Sequence, residues 1–126
     1  MGIVTRIKED LGLPITSLTV RITDTALGAP AVGVHLSVTA PDGHALNGRT
    51  DEFGGARIDD GLIPGRYVVA LEAGRWFTAH ERPCGYGDVV IHLDVTSGSS
   101  HDVTVSLAGF AYTVTLEPNA YQPPAS

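Results

Sequence analysis

Leu18, Val20 and Ile22 alternate with Thr19, Arg21 and Thr23, the two-residue period of a strand with one face in a core and one in water. The same period returns at Val34, Leu36 and Val38, and again at Val89, Ile91, Leu93 and Val95. Turn-forming residues separate these runs: Gly28-Ala29-Pro30, Pro41-Asp42-Gly43 and Asp51-Glu52-Phe53-Gly54-Gly55. Short strands are predicted at 46–50 and 56–59 around the last of these, and a longer one at 66–72 after Pro64-Gly65. Residues 74–81 lack alternation and are predicted to form one or two helical turns, stopped by Pro83, Gly85 and Gly87. Past Ser97-Gly98-Ser99-Ser100, a hairpin pairs 101–107 with 111–117. Seven or eight short strands at this spacing predict an all-β antiparallel sandwich with one short helix.

One domain fits the 126 residues, of which 43% are hydrophobic and 17% charged. The sandwich is expected over 15–117, with an arm at 1–14 and a proline-containing tail at 118–126. A net charge of −6 and the lack of any lysine- or arginine-rich run exclude phosphate-backbone binding, so no nucleic acid partner is expected. The first ten residues carry four charges and form no secretory signal, Arg6 stands where myristoylation requires Ser or Thr, and no stretch reaches membrane-spanning length. Cys84 is the only cysteine, which rules out an intrachain disulfide and points to a cytoplasmic protein. With no sign of thiolate activation it reads as a half-buried loop thiol, although His80 and His92 are near in sequence. His35, His44, His80 and His92 show no metal-ligand spacing, and there is no phosphate loop, nucleophile elbow or paired CxxC. Neither metal nor cofactor is expected.

Alternation also sorts the final hairpin. Val103, Val105 and Leu107 are predicted core, leaving Asp102, Thr104 and Ser106 outward; Tyr112, Val114 and Leu116 are predicted core, leaving Thr113, Thr115 and Glu117 outward. With Thr19, Arg21 and Thr23, these make a sheet face of hydroxyls and three charges. A four-residue turn that sets Leu107 opposite Tyr112 also sets Ser106 opposite Thr113, Thr104 opposite Thr115 and Asp102 opposite Glu117. Facing carboxylates repel by about 0.5 kcal/mol or more, and a cation in the row relieves them. Taken alone, such a face is also what a solvated, threonine-rich sheet looks like.

Four segments, in order, carry a resemblance: LTVRITDTALGAPAVGVHLSV (18–38), Gly48-Arg49-Thr50, LIPGRYVVALEAGRWFTAH (62–80) and HDVTVSLAGFAYTVTLE (101–117). Together they resemble the transthyretin-like family, which contains 5-hydroxyisourate hydrolases and the carrier transthyretin. The first half alone is similar to carboxypeptidase regulatory-like and bacterial adhesion modules as well. Trp76-Phe77 and the run from Gly109 to Thr113 favour the transthyretin-like pattern, with Ala108-Gly109 where that pattern has Ser-Pro. Two family histidines are replaced, by Arg21 and Asp102, and the closing Tyr-Arg-Gly-Ser of the hydrolases is absent.

The resemblance implies a homotetramer, a dimer of dimers, whose central channel is lined here by Arg21, Thr23, Asp102, Thr104, Ser106, Thr113, Thr115 and Glu117. It implies further that the first strand lies beside the penultimate one, setting Arg21 next to Asp102 in a row with Glu117, and that Arg49 is a retained contact to a substrate anion. A lining this polar disfavours an apolar hormone pocket. Two classes of function stay open. One is an enzyme that opens, closes or isomerises a small polar heterocyclic or carbonyl substrate without cofactor. In it Arg49 and Arg21 hold an anion or oxyanion, Asp102 and Glu117 move protons, and Thr23, Thr104, Ser106, Thr113 and Thr115 contact substrate. The other is a non-catalytic small-molecule binder or scaffold of the same fold. Hydrolysis of 5-hydroxyisourate itself ranks third, because both histidines are gone.

Overall fold

The computed structural model describes residues 16–58 and 62–120; the expected N-terminal arm and the end of the tail fall outside them. One sheet runs β4 (Ala45–Arg49), β3 (His35–Thr39), β6 (Gly65–Leu71), β7 (Val89–Val95). The other runs β1 (Ser17–Asp24), β8 (Ser99–Ala108), β9 (Ala111–Ala120), while β5 (Gly55–Ile58) and the two-residue β2 (Ala29–Pro30) share the remaining edge of β1. A helix, α1 (Ala73–Ala79), the one helix among the described residues, joins β6 to β7. All pairs are antiparallel except β1 with β8, which is parallel. Among the described residues no helix is long and apolar enough to cross a membrane.

The core forms where the two inward faces meet. Leu18, Val20 and Ile22 of β1 and Val103, Val105 and Leu107 of β8 are buried against Leu36, Val38, Val69, Leu71, Ile91 and Leu93 of the other sheet. The edge strand departs from expectation. Tyr112 and Leu116 are each 45% exposed and Val114 is half-buried, because β9 has a neighbour on one side only and overhangs the core. β9 also runs on to Ala120, three residues past the expected end of the sandwich at 117.

Two polar ties fix the ends of the sandwich. Asp24, 1% exposed at the end of β1, accepts hydrogen bonds from Ala26 N at 3.1 Å and Leu27 N at 3.3 Å and forms a bidentate pair with Arg82. The guanidinium of Arg82 lies 4.9 Å from the Phe77 ring centroid and 5.8 Å from that of Trp76, so the loop after α1 is clamped to the turn after β1. Trp76 adds a donor bond from Nε1 to Val32 O at 2.8 Å. At the end of β4, Thr50 is buried; its hydroxyl donates to Ala31 O at 2.6 Å and accepts from Val34 N at 2.9 Å. Backbone bonds Thr50 N to Val34 O and Gly33 N to Thr50 O complete the anchor.

The Asp24 carboxyl is held below the usual carboxylate range by the hydrogen bond from Arg82, against the opposing effect of burial. Its contribution to stability is therefore complete above the unfolded value, about 3.9, and is lost as pH falls through the lower folded value. Asp24→Asn is expected to cost about 1–3 kcal/mol at pH 7, as for a lost hydrogen bond to a charged group. Urea midpoints of wild type and variant should converge as the pH drops toward 2; a gap that stayed constant would rule out the charge as its source.

Thr50→Val keeps the shape and removes the hydroxyl, leaving Ala31 O and Val34 N without that partner. We expect a loss of about 1–3 kcal/mol, with Thr50→Ser close to wild type. Equal denaturant midpoints for the Val and Ser variants would show that the hydroxyl is not the anchor.

Candidate functional site

The outer face of the β5-β1-β8-β9 sheet carries the outward residues in register. Asp102 opposes Glu117, Thr104 opposes Thr115 and Ser106 opposes Thr113, as the four-residue turn requires. On the other side of β8, Thr19 opposes Asp102, Arg21 opposes Thr104 and Thr23 opposes Ser106. Arg21 is thus one step along from the expected row: its direct neighbour is Thr104, and Asp102 sits diagonally. A parallel pair has no turn through which to count residues, so sequence offered no constraint on this offset.

Arg57 takes the place expected for Arg21. It opposes Thr19 on β5, giving a row Arg57–Thr19–Asp102–Glu117 across four strands, with Gly55–Arg21–Thr104–Thr115 beside it. Strand spacing of about 4.8 Å sets Arg57 and Asp102 roughly 10 Å apart at the backbone. Two guanidiniums therefore stand at one edge of the face and two carboxylates at the other, with hydroxyls between. Arg57 was legible in principle, as the outward residue of the strand predicted at 56–59.

Arg49 belongs to the other sheet. It ends β4 opposite His35 and reaches the cleft of about 300 Å³ between β4 and β5, lined by Leu36, Leu46, Gly48, Arg49, Ala56, Arg57 and Ile58 among others. A second opening of about 390 Å³ on the far side of β5 is lined by Thr19, Arg21, Asp51, Phe53, Gly55, Ala56 and Arg57. Arg57 borders both. Among the described residues neither Arg21 nor Arg49 makes an ion pair or side-chain hydrogen bond.

The turn between β4 and β5 shapes these openings. Asp51 Oδ1 accepts from Phe53 N at 2.9 Å and Gly55 N at 3.0 Å, and those backbone donors lower its carboxyl below the ordinary range. Gly54 has φ +77°, and any Cβ there would meet the Ile22 carbonyl oxygen, which lies against the turn because Ile22 N donates to Gly54 O at 2.7 Å. The turn is thereby pressed onto β1, with Phe53 left 78% exposed beside Arg21.

At the carboxylate edge, a cavity of about 140 Å³ is lined by Leu93, Asp94, His101, Asp102, Leu116 and Glu117. His101 is buried and faces inward, as alternation requires, and its Nε2 accepts from Thr96 N at 3.1 Å, which leaves the ring proton on Nδ1. It reaches the same cavity as Asp102 because the sandwich is open at this end. No cluster of three or more His, Cys, Asp or Glu suited to a metal occurs among the described residues. Cys84 is half-buried, its Sγ donating to Tyr86 O at 3.1 Å. Tyr86 locks the last hairpin by donating to Ala108 O at 2.6 Å, and burial raises its phenol to about 12.

Comparison with known proteins agrees with this architecture. A search of curated proteins returned no match. Among solved structures, 5-hydroxyisourate hydrolase from Klebsiella pneumoniae superposes with a TM-score of 0.71 at 24% identity, covering 82% of this chain and 94% of its own. Sea bream transthyretin in complex with thyroxine gives 0.70 at 24% identity, covering 84% and 98%. At that identity the likeness speaks for the fold. Residues 18–115, most of the chain, match the HIUase/Transthyretin family, and to that family the chain belongs.

Proposed function

We propose that the protein is a cofactor-independent enzyme of this family that works by acid–base chemistry on a small polar heterocyclic or carbonyl substrate. The row Arg57–Thr19–Asp102–Glu117, beside Arg21, carries this reading. A guanidinium fork suits the planar oxygens of an anion or a developing oxyanion, and a carboxylate within reach moves a proton. In this reading Arg21 and Arg49 hold the substrate and Asp102 or Glu117 serves as acid or base. Thr23, Thr104, Ser106, Thr113 and Thr115 supply hydroxyl contacts. Two structural neighbours, a 5-hydroxyisourate hydrolase and a thyroxine-bound transthyretin, lend the general precedent of small-molecule chemistry and small-molecule binding on this fold. The polar outward set favours the former over an apolar carrier site.

The same face makes chemical sense as the wall of a shared channel in a closed homotetramer, which would narrow the distance between the cationic and anionic edges by bringing a second face opposite. Light scattering is expected to return a multiple of the 13.2 kDa chain mass. A monomer at working concentrations would return this face to solvent and remove the channel.

The chemistry is tested on a substrate panel of small cyclic ureides, lactones and their open forms, with freshly generated 5-hydroxyisourate included. That compound is expected to decay near its spontaneous rate, since positioned proton transfer contributes ~10²–10⁴-fold and both histidines are replaced. For the compound that is turned over, Asp102→Asn or Glu117→Gln should preserve folding and cost about two orders of magnitude in rate, equivalent to ~3 kcal/mol of barrier. Activity within a few-fold of wild type in both variants would sink the catalytic reading and leave a binding protein.

A further inference from the structure

Gly55 opens β5 directly opposite Arg21, so a side chain at 55 would project from the same outward face as the guanidinium. Its φ lies outside the left-handed region. A Cβ built on it would lie 3.7 Å from the Val20 carbonyl oxygen and 3.8 Å from Asp51 Oδ1, which is ordinary contact. Neither backbone conformation nor crowding therefore asks for glycine, although glycine in a strand is less favourable for stability than alanine. What the missing side chain keeps clear is the opening of about 390 Å³ beside Arg21.

Phe53 forms another wall of that opening. Its amide is fixed by Asp51 Oδ1 at 2.9 Å, and the next residue, Gly54, is bonded to β1 through Ile22 N at 2.7 Å. Backbone and carboxylate thus hold the turn without the phenyl ring, which is 78% exposed and pairs with no other aromatic ring among the described residues. A ring carried on so firmly held a turn offers an open face to a flat molecule at little cost in ordering. Arg21 supplies the polar contact. It makes no ion pair or side-chain hydrogen bond among the described residues, whereas Arg57, which also borders the opening, already has an interaction partner. Asp51, the carboxylate among the lining residues, is engaged by the Phe53 and Gly55 amides of its own turn. A free guanidinium fork beside an open aromatic face suits a flat conjugated ring with a pair of oxygens at its rim.

We propose that this opening binds a planar aromatic carboxylate, its ring stacked on Phe53 above Gly55 and its carboxylate paired with Arg21. The inference deepens the functional reading above and rests on it only in that Arg21 is a substrate contact there. It adds Phe53 as the residue that selects flat rings over saturated ones. Arg21 opposes Thr104 on β8 and lies diagonal to Asp102, so a ligand seated here borders the strand that carries the assigned proton chemistry.

The probe is 2-naphthoate, titrated into the full chain and followed by amide NMR shifts. Saturable shifts centred on Arg21, Phe53 and Gly55 are expected. Decahydro-2-naphthoate keeps the charge without the flat ring, and 2-naphthamide keeps the ring without the charge; each should bind about tenfold more weakly. Phe53→Leu should weaken 2-naphthoate about fivefold and leave decahydro-2-naphthoate unchanged, a discrimination that general loss of structure cannot produce. Arg21→Gln should weaken 2-naphthoate about tenfold and leave 2-naphthamide unchanged. Gly55→Leu, which fills the opening, should abolish the shifts. Equal binding of the saturated analogue, undiminished binding in Phe53→Leu or Arg21→Gln, or shifts centred away from β1 and β5 would overturn the proposal. Asp102→Asn and Glu117→Gln separate it from the catalytic reading. Retained 2-naphthoate binding with unchanged turnover in both would refute the catalysis alone. Lost turnover in either, without 2-naphthoate binding to wild type, would refute the aromatic carboxylate site alone.

Discussion

The register of β1 is the constraint on which the rest depends. This strand pairs in parallel with β8 and antiparallel with β5 and β2, and its inward residues Leu18, Val20 and Ile22 are almost wholly buried. A slip of one residue would drive Arg21 and two threonines into the core and turn three large aliphatic side chains to water. Each of those side chains is worth roughly 1.5–3 kcal/mol in burial, so the slipped form is out of reach for a domain of ordinary stability. Because that register is fixed, the partners of every outward residue are fixed too. The charge pattern of the face follows from the packing of the core beneath it.

How far the sequence disclosed this depends on what connects the strands. The β8–β9 pairing was legible to the residue, since a four-residue turn leaves one register that keeps both hydrophobic sets on the same side. The β1–β8 pairing was legible only as a neighbourhood. Its parallel strands are joined through the whole domain, and a shift by two residues preserves the inward and outward sets, so alternation cannot distinguish it. That shift separates an Arg21–Asp102 neighbour pair from the observed Arg57–Thr19–Asp102 row. Tyr112 and Leu116 were misplaced for a related reason: period-two patterning tells which way a side chain points but not whether another strand covers it.

Thr50 and Asp51 illustrate a third kind of information. The short run Gly48-Arg49-Thr50-Asp51 reads in sequence as an arginine with small neighbours. In the fold those neighbours act in three different places. Thr50 ties β4 to the segment 31–34, Asp51 folds the turn onto β1, and Gly48 leaves the inter-sheet gap open. Arg49 is the member of the run whose side chain makes no bond among the described residues. In the proposed function this guanidinium, with nothing among those residues to neutralise it, would be a group that meets a substrate anion.

The two edges of the face then differ in what they can exchange with solvent. The arginine edge is bounded by openings of about 390 and 300 Å³ on either side of β5, whereas Asp102 and Glu117 border a cavity of about 140 Å³ shared with the buried His101. In the proposed function an anionic ligand would be drawn to the roomy, cationic side and repelled from the confined, acidic one. Such a separation would orient a molecule that carries charge at one end only, its anionic end at β5 and its neutral end toward the carboxylates. Proton transfer at Asp102 or Glu117 would then act on the uncharged end, where a carboxylate does not have to approach a second negative charge. The sheet twist and strand spacing that hold the edges about 14 Å apart at the backbone thereby set the length of molecule that can reach both.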